Sequence, residues 1–403
     1  MSNLFMGIGF IHSKIQNKAE KIVIFAYYYL DCIKMEANKR LLSLDTLRGF
    51  DMMFIMGFAT IIAALCRLFP GGDQSWLCLQ MSHVAWDGLR HHDTIFPLFL
   101  FIAGISFPFS YAKQLSKGAS RGKVYAKIFK RGFVLVLLGF IYSGLFDLKF
   151  STLRFYSVLA RIGLAWMFAA LFFINFKPRA RAVIAAVLLV GYWLLLRFVP
   201  APDAPGADPF SLEGNLVGYI DRTLWPDHLY KKGVFDPEGL LSLVPAIVTA
   251  MLGMFTGEFV RIDDSKVSGA RKSLWMAVAS LVMLGLGLLW SLDFPINKAL
   301  WSSSFVLVVG AYSLAMFALF YYIIDVRGWT GWTKFFEVIG LNSITIYMAQ
   351  RIIPFSSINK FFLGGLSHLC PEPWGKLILA IGYFTLCWLF LWFLYKKKVF
   401  LKV

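Results

Sequence analysis

The sequence predicts an all-α fold: a polytopic bundle of about ten transmembrane helices with both termini cytoplasmic. Three observations predict it. Hydrophobic residues make up 58% of the 403 and charged residues only 16%, outside the mix of soluble domains. Apolar runs of about 20 residues, the length that crosses a hydrocarbon core as a helix, recur from residue 46 to residue 395. Lys and Arg gather in every second connection between those runs, which is where cytoplasmic loops carry them. The formal net charge of +17 is then the mark of that bias rather than of nucleic-acid binding.

Residues 1–38 form an N-terminal extension ahead of a single transmembrane domain, 39–403. The extension holds an apolar patch, Ile22 to Leu30, and no small-residue cleavage site, so a removed signal peptide is not expected. Met35-Glu-Ala-Asn-Lys-Arg40 reads as a start codon just before the first span; the preceding segment is then an upstream extension or an interfacial helix. Spans are expected near 46–68, 93–112, 129–146, 154–175, 181–199, 239–260, 273–291, 300–324, 334–353 and 376–395. Lys39 and Arg40 precede the first. Lys113, Lys117, Arg121, Lys123, Lys127, Lys130 and Arg131 lie between the second and third. Lys177, Arg179 and Arg181 follow the fourth, and Lys396, Lys397, Lys398 and Lys402 close the chain. This alternation puts His83 on the outer side. Five scattered cysteines contain no Cys-x-x-Cys pair, so neither a zinc site nor a disulfide framework is expected, and they read as small hydrophobes.

The unusual chemistry lies at the ends of the spans. His83-Val-Ala-Trp-Asp-Gly-Leu-Arg-His-His-Asp93 packs three of the six histidines and two aspartates directly before an apolar wall. Helical spacing would place His83, Trp86 and Asp87 on one face. A histidine beside a carboxylate is a candidate general base, and Asp87 or Asp93 can supply the carboxylate. Adjacent His91 and His92 point apart on any regular element, so no metal is assigned. The longest outer loop, 200–238, ends in Asp236-Pro-Glu-Gly239; Asp236 and Glu238 suit either helix capping or recognition of a polar substrate. Ionisable groups in the spans are functional candidates because desolvating a charge there is unfavourable by several kcal/mol. Asp45 and Arg48 open the first span three residues apart, Arg161 lies in the fourth and Glu258 ends the sixth. Asn342-Ser343 lies midway along the ninth, where interhelical hydrogen bonding is the plainer role.

Seven motifs then occur in one order: Asp45-Thr-Leu-Arg-Gly49, His83-x-x-Trp86-x-Gly88, Asp93-x-Ile-Phe-Pro97 with Phe101-Ile-x-Gly104, Arg161-Ile-Gly163, Asp236-Pro-Glu-Gly239, Pro295-Ile-Asn-Lys-x-Leu-Trp301 and Leu341-Asn-Ser-Ile344. Together they resemble the heparan-α-glucosaminide N-acetyltransferase family and its bacterial relatives, over roughly residues 40 to 395. The resemblance implies an enzyme of the cell inner membrane that moves acetyl from cytosolic acetyl-CoA to an amino sugar on the outer side. It implies His83 as the catalytic histidine. Counting from Asp45, Ala59 stands where the family has an asparagine, so that partner is missing.

On this reading Arg48 and Arg131, with Arg161, hold the donor's phosphates. Asp87 or Asp93 orients His83. The acceptor is expected against Trp86, Asp236, Glu238, Asn297, Trp301 and Asn342. Direct transfer and an acetyl-histidine intermediate both fit. Two other functions share these features, an amino-sugar permease and a polysaccharide O-acetyltransferase. The partners expected are membrane lipid and a small-molecule or glycan acceptor, with a homodimer compatible and nucleic acid not expected.

Overall fold

Long apolar runs become helices here because a chain in hydrocarbon must satisfy every backbone N–H and C=O within itself. The computed structural model describes residues 41–230 and 235–401. The expectations for residues 1–38, including the start at Met35, fall outside them. Twelve principal helices are numbered in chain order: α1 Leu42–Cys66, α2 His91–Ser116, α3 Arg121–Tyr142, α4 Val158–Asn175, α5 Pro178–Phe198, α6 Leu243–Val260, α7 Gly269–Trp290, α8 Ser303–Val326, α9 Thr333–Leu341, α10 Ser343–Ile352, α11 Phe355–Leu369 and α12 Glu372–Lys396.

Among the described residues eight helices are long and apolar enough to cross a membrane, against ten expected. Two expected spans account for the difference, and each has a physical reason. The 129–146 span corresponds to α3, which starts back at Arg121 and carries Lys123, Lys127, Lys130 and Arg131 in its first half. The 334–353 span is cut at Asn342, whose backbone leaves helical geometry (φ −123°, ψ 27°) and divides it into α9 and α10. Its side chain bridges the break, donating to the Val399 carbonyl at 3.2 Å and accepting from Thr345 at 3.1 Å.

The described chain divides into two compact units. Residues 109–124 are one: the last turns of α2, a left-handed turn at Gly118, and the first turn of α3, where the Val124 N–H bonds the Ser120 carbonyl at 3.2 Å. The other holds residues 41–108 and 125–401. Within it α9 lies along α1, α6 along α4, α7 against α8, and α11 folds back on α12. Asn359 of α11 fixes that last pair by donating to the Leu379 carbonyl of α12 at 2.8 Å. One charge pair joins α5 to α6: Arg181 bonds Glu258 at 2.9 Å and sits 4.3 Å from the Phe173 ring centre.

Candidate active site

Residues 83–90 are irregular rather than helical, so the expected shared helical face of His83, Trp86 and Asp87 is not formed. The reason lies in what holds this stretch. Gly88 turns the chain at φ +114° and donates its N–H to the Ile296 carbonyl at 2.8 Å, tying the loop to the segment before α8. Asp93, in the first turn of α2, draws the loop back: its Oδ2 accepts the Val84 N–H at 3.3 Å and the Arg90 N–H at 3.1 Å. Arg90 in turn clamps the Ser82 hydroxyl at 2.7 Å and the His83 carbonyl at 3.0 Å.

The result brings His83 onto Asp93. Their Nδ1 and Oδ1 are 2.6 Å apart, with the His83 side chain 54% exposed and Asp93 only 1%. Lys298 reaches the same oxygen at 3.4 Å and lies 3.2 Å from His83 Nδ1. Both Nδ1 and Lys298 Nζ donate to Asp93 in the arrangement that satisfies all three, because a ring nitrogen already donating its proton to Asp93 has none of its lone pair left for lysine. Burial pushes the Lys298 ammonium down from its ordinary value, against the pull of Asp93. The imidazole is thus fixed in one tautomer, Nδ1–H on Asp93, and Nε2 has no hydrogen-bond partner among the described residues.

Beside it, His92 packs its ring 4.6 Å from that of His83, centre to centre. His92 lies on the wall of a cavity of about 750 Å³ between the second half of α1, α11 and α12. Gly57, Ala59 and Ala63 give that cavity its width. At Gly57 α1 passes through a wide π-type turn with φ +132°, and a Cβ there would come within 3.2 Å of the Tyr383 ring. Ala59 is nearly buried on the same wall.

Other expected residues gather elsewhere. Asp87 is not the partner of His83; it accepts from Asn297 at 3.0 Å. Asn297 is fully buried and its Oδ1 accepts the Leu300 N–H at 2.8 Å, so both its amide groups hold the turn before α8. The Trp86 indole N–H reaches the Phe210 carbonyl at 2.9 Å, and its ring meets Phe235 edge-on. Trp301 is buried, donates to the Thr249 hydroxyl at 3.1 Å and lies under the Arg161 guanidinium, 5.0 Å to the ring centre.

Arg161 sits in the first turn of α4, which begins at Val158 rather than 154. It bonds the Gly239 carbonyl at 3.2 Å and the Ser242 hydroxyl. Asp236 and Glu238 are taken by Arg154: its Nε and Nη2 grip the Asp236 carboxylate at 2.8 and 2.5 Å, and Nη2 also bonds Glu238. Burial works against the Arg154 charge, but these two carboxylates hold its pKa above the ordinary arginine value. Burial pushes Asp236 up, against the guanidinium that pairs with it. Nearby Asp221, also buried, is pushed up to about 6 by burial, with the Leu240 N–H opposing.

Arg48 bonds Asp45 at 3.1 Å and Ser106 at 3.3 Å, and its charge is felt by Arg131, which stacks 4.2 Å over Trp166 and has a buried Nε without a hydrogen bond. Arg161 does not join that pair, and Asn342, tied to Val399, does not join His83.

Lys298, Arg154 and the cavity role of His92 were not anticipated. Lys298 stood inside a quoted motif, and a lysine immediately before a span was a usable signal. Arg154 carried none, since its meaning depends on a carboxylate 82 residues away.

Comparison with known proteins gives one consistent answer. Residues 40–292 match the profile described as heparan-alpha-glucosaminide N-acetyltransferase, catalytic, which is more than half of the chain. The chain is 29% identical to the heparan-alpha-glucosaminide N-acetyltransferase of Mus musculus over 448 aligned positions, covering 98% of this chain and 65% of that protein. It is likewise 29% identical to the Homo sapiens protein of that name, over 90% of this chain and 60% of the relative. The chain therefore spans less than two thirds of the length of either.

Proposed function

The chain belongs to the heparan-alpha-glucosaminide N-acetyltransferase family, and from that premise we propose that it is a transmembrane acetyltransferase in which His83 is the general base. The observation that carries this reading is the His83–Asp93 pair: a half-exposed imidazole whose Nδ1 is held at 2.6 Å by a buried carboxylate, leaving Nε2 without a hydrogen-bond partner among the described residues.

The donor in this reading is acetyl-CoA. The acceptor nitrogen attacks the thioester carbonyl, Nε2 of His83 takes the proton from that nitrogen, and the C–S bond breaks to release CoA thiolate, which is then protonated. Asp93 keeps the imidazole in the right tautomer and stabilises the imidazolium as it forms. Arg48 and Arg131 are the groups we assign to the donor's phosphates, Arg131 being the better case because its buried Nε lacks a hydrogen bond. Arg161 stays a third candidate for the donor: its Nη2 is bonded to Gly239 and Ser242, while its Nε and Nη1 are buried without a hydrogen bond.

Sidedness belongs to the same proposal: the basic connections 113–131, 177–181 and 396–402 face the cytoplasm, and His83 faces outward in the cell inner membrane. The amino sugar as acceptor follows the name of the relatives, and nitrogen is preferred to oxygen on that ground.

His83→Ala in purified protein tests the assignment. We expect acetyl transfer from labelled acetyl-CoA to glucosamine to fall by about 10²–10⁴, with CoA binding and the unfolding midpoint kept. Unchanged turnover would remove His83 from the mechanism. Uptake of glucosamine into proteoliposomes without acetylation would replace the reading by a permease.

A further inference from the structure

The cavity beside His92 has a lopsided chemistry. Its depth carries neutral hydrogen-bonding groups, among them Gln350 and Tyr383, which bond each other at 2.9 Å. Its rim carries three cations from three different elements, Arg67 at the end of α1, Lys360 on α11 and Lys376 on α12. Lys376 holds Glu372 at 2.5 Å on the surface, while Arg67 and Lys360 have no ion-pair partner among the described residues.

Asn359 joins this cavity to a second hollow, because it lines both. The second is an apolar groove of about 450 Å³ between α11 and α12, walled by Phe362, Leu363, Ile381, Leu386 and Leu389. A basic rim of this kind beside a polar cavity is built for a phosphate-sized anion. An apolar groove leaving that rim between α11 and α12 suits a hydrocarbon chain.

We propose that the acceptor is a membrane amphiphile, an amino sugar joined through phosphate to an isoprenoid-like chain: the chain in the α11–α12 groove, the phosphate among Arg67, Lys360 and Lys376, and the sugar in the cavity towards His92 and His83. This rests on the reading of the chain as an acetyltransferase working at His83. It adds the chemical class of what is acetylated. Gly57, Ala59 and Ala63 line the part of the cavity assigned to the sugar, and His92 on its wall packs its ring 4.6 Å from that of His83, centre to centre, so the sugar's end of the site lies one side chain from the proposed base.

Four acceptors separate the parts: methyl glucosaminide, glucosamine 1-phosphate, octyl glucosaminide and farnesyl-phosphoryl glucosamine, each assayed for CoA release by protein in nanodiscs. Retention of farnesyl phosphate, followed by native mass spectrometry, gives a second readout that needs no acetyl transfer. The expected result is that kcat/KM for the farnesyl-phosphoryl sugar exceeds that for methyl glucosaminide at least tenfold. The double variant Lys360→Glu with Lys376→Glu should then remove about that factor and the retention of farnesyl phosphate, leaving methyl glucosaminide unaffected. Ile381→Trp should weaken the two acceptors with chains and spare the two without.

Equal use of all four acceptors overturns the proposal. So does retention that the double variant leaves intact, or that phosphatidylglycerol displaces as readily as farnesyl phosphate, since the groove would then hold ordinary bilayer lipid. CoA release from no acceptor, together with lysine-dependent retention, defeats the acetyltransferase reading and supports the lipid-phosphate site.

Discussion

Two clusters of charge, one at His83 and one at Arg154, behave in opposite ways. At His83 one buried carboxylate gathers four donors, from His83, Lys298, Val84 and Arg90, and thereby fixes a half-exposed ring. At Arg154 the same currency of side chains closes on itself: Asp236 is fully buried and both oxygens are taken by the guanidinium and by the N–H groups of Tyr230 and Glu238. The difference teaches how to read ionisable residues at membrane interfaces. Burial and pairing are common to both, but in the first the buried carboxylate holds a half-exposed ring whose Nε2 has no hydrogen-bond partner among the described residues.

The largest effect should come from Asp93→Asn. An amide at this position can no longer fix the Nδ1–H tautomer, so turnover with labelled acetyl-CoA should fall by about 10²–10⁴ while CoA binding persists. Turnover within a few fold of the parent would erase the contrast between the clusters.

Arg154→Ala should act on stability instead. It strands Asp236 and Glu238 without their guanidinium, a change worth about 3–5 kcal/mol for a buried pair. Unfolding followed by intrinsic fluorescence should show it as a lower midpoint, with turnover per folded molecule kept within a few fold. A collapse of turnover in protein that stays folded would move this cluster into the active site.

A smaller and pH-dependent effect is expected at Asp221. Its folded value of about 6 lies above the ordinary 3.8, so the fold favours the protonated acid. That contribution is fully present below pH 3.8 and is lost as pH rises through 6, amounting to at most about 3 kcal/mol. Asp221→Asn should flatten the stability profile between those limits relative to the parent, and an unaltered slope there would deny Asp221 the role.

Much of the fold was legible because hydropathy reports the solvent of a helix directly. Lengths and starts were less so. α3 keeps its cations within one helix instead of ending at them, and α9–α10 breaks at Asn342 because a side chain can bridge a backbone gap by reaching Val399. The candidate site was half legible. His83 and Asp93 stood ten residues apart with a usable pattern, but choosing Asp93 over Asp87 needed the turn at Gly88 and the tie to Ile296. Asp236, Glu238, Asn297 and Trp301 looked equally available for a substrate. Each has its polar groups engaged by a partner far along the chain: Arg154 for the carboxylates, Asp87 for the amide, Thr249 for the indole.

By itself the sequence determined that this chain is a helical, multi-pass membrane protein of one family, because apolar length, charge placement and ordered motifs are local quantities that survive without coordinates. Tertiary structure alone decided which charges are quenched and which remain open. That question turns on partners 82, 210 or 215 residues distant, and on whether the space beside a side chain is filled or empty. The basic-rimmed cavity and its apolar groove belong wholly to that second kind of information, since residues from α1, α11 and α12 meet there only in the fold.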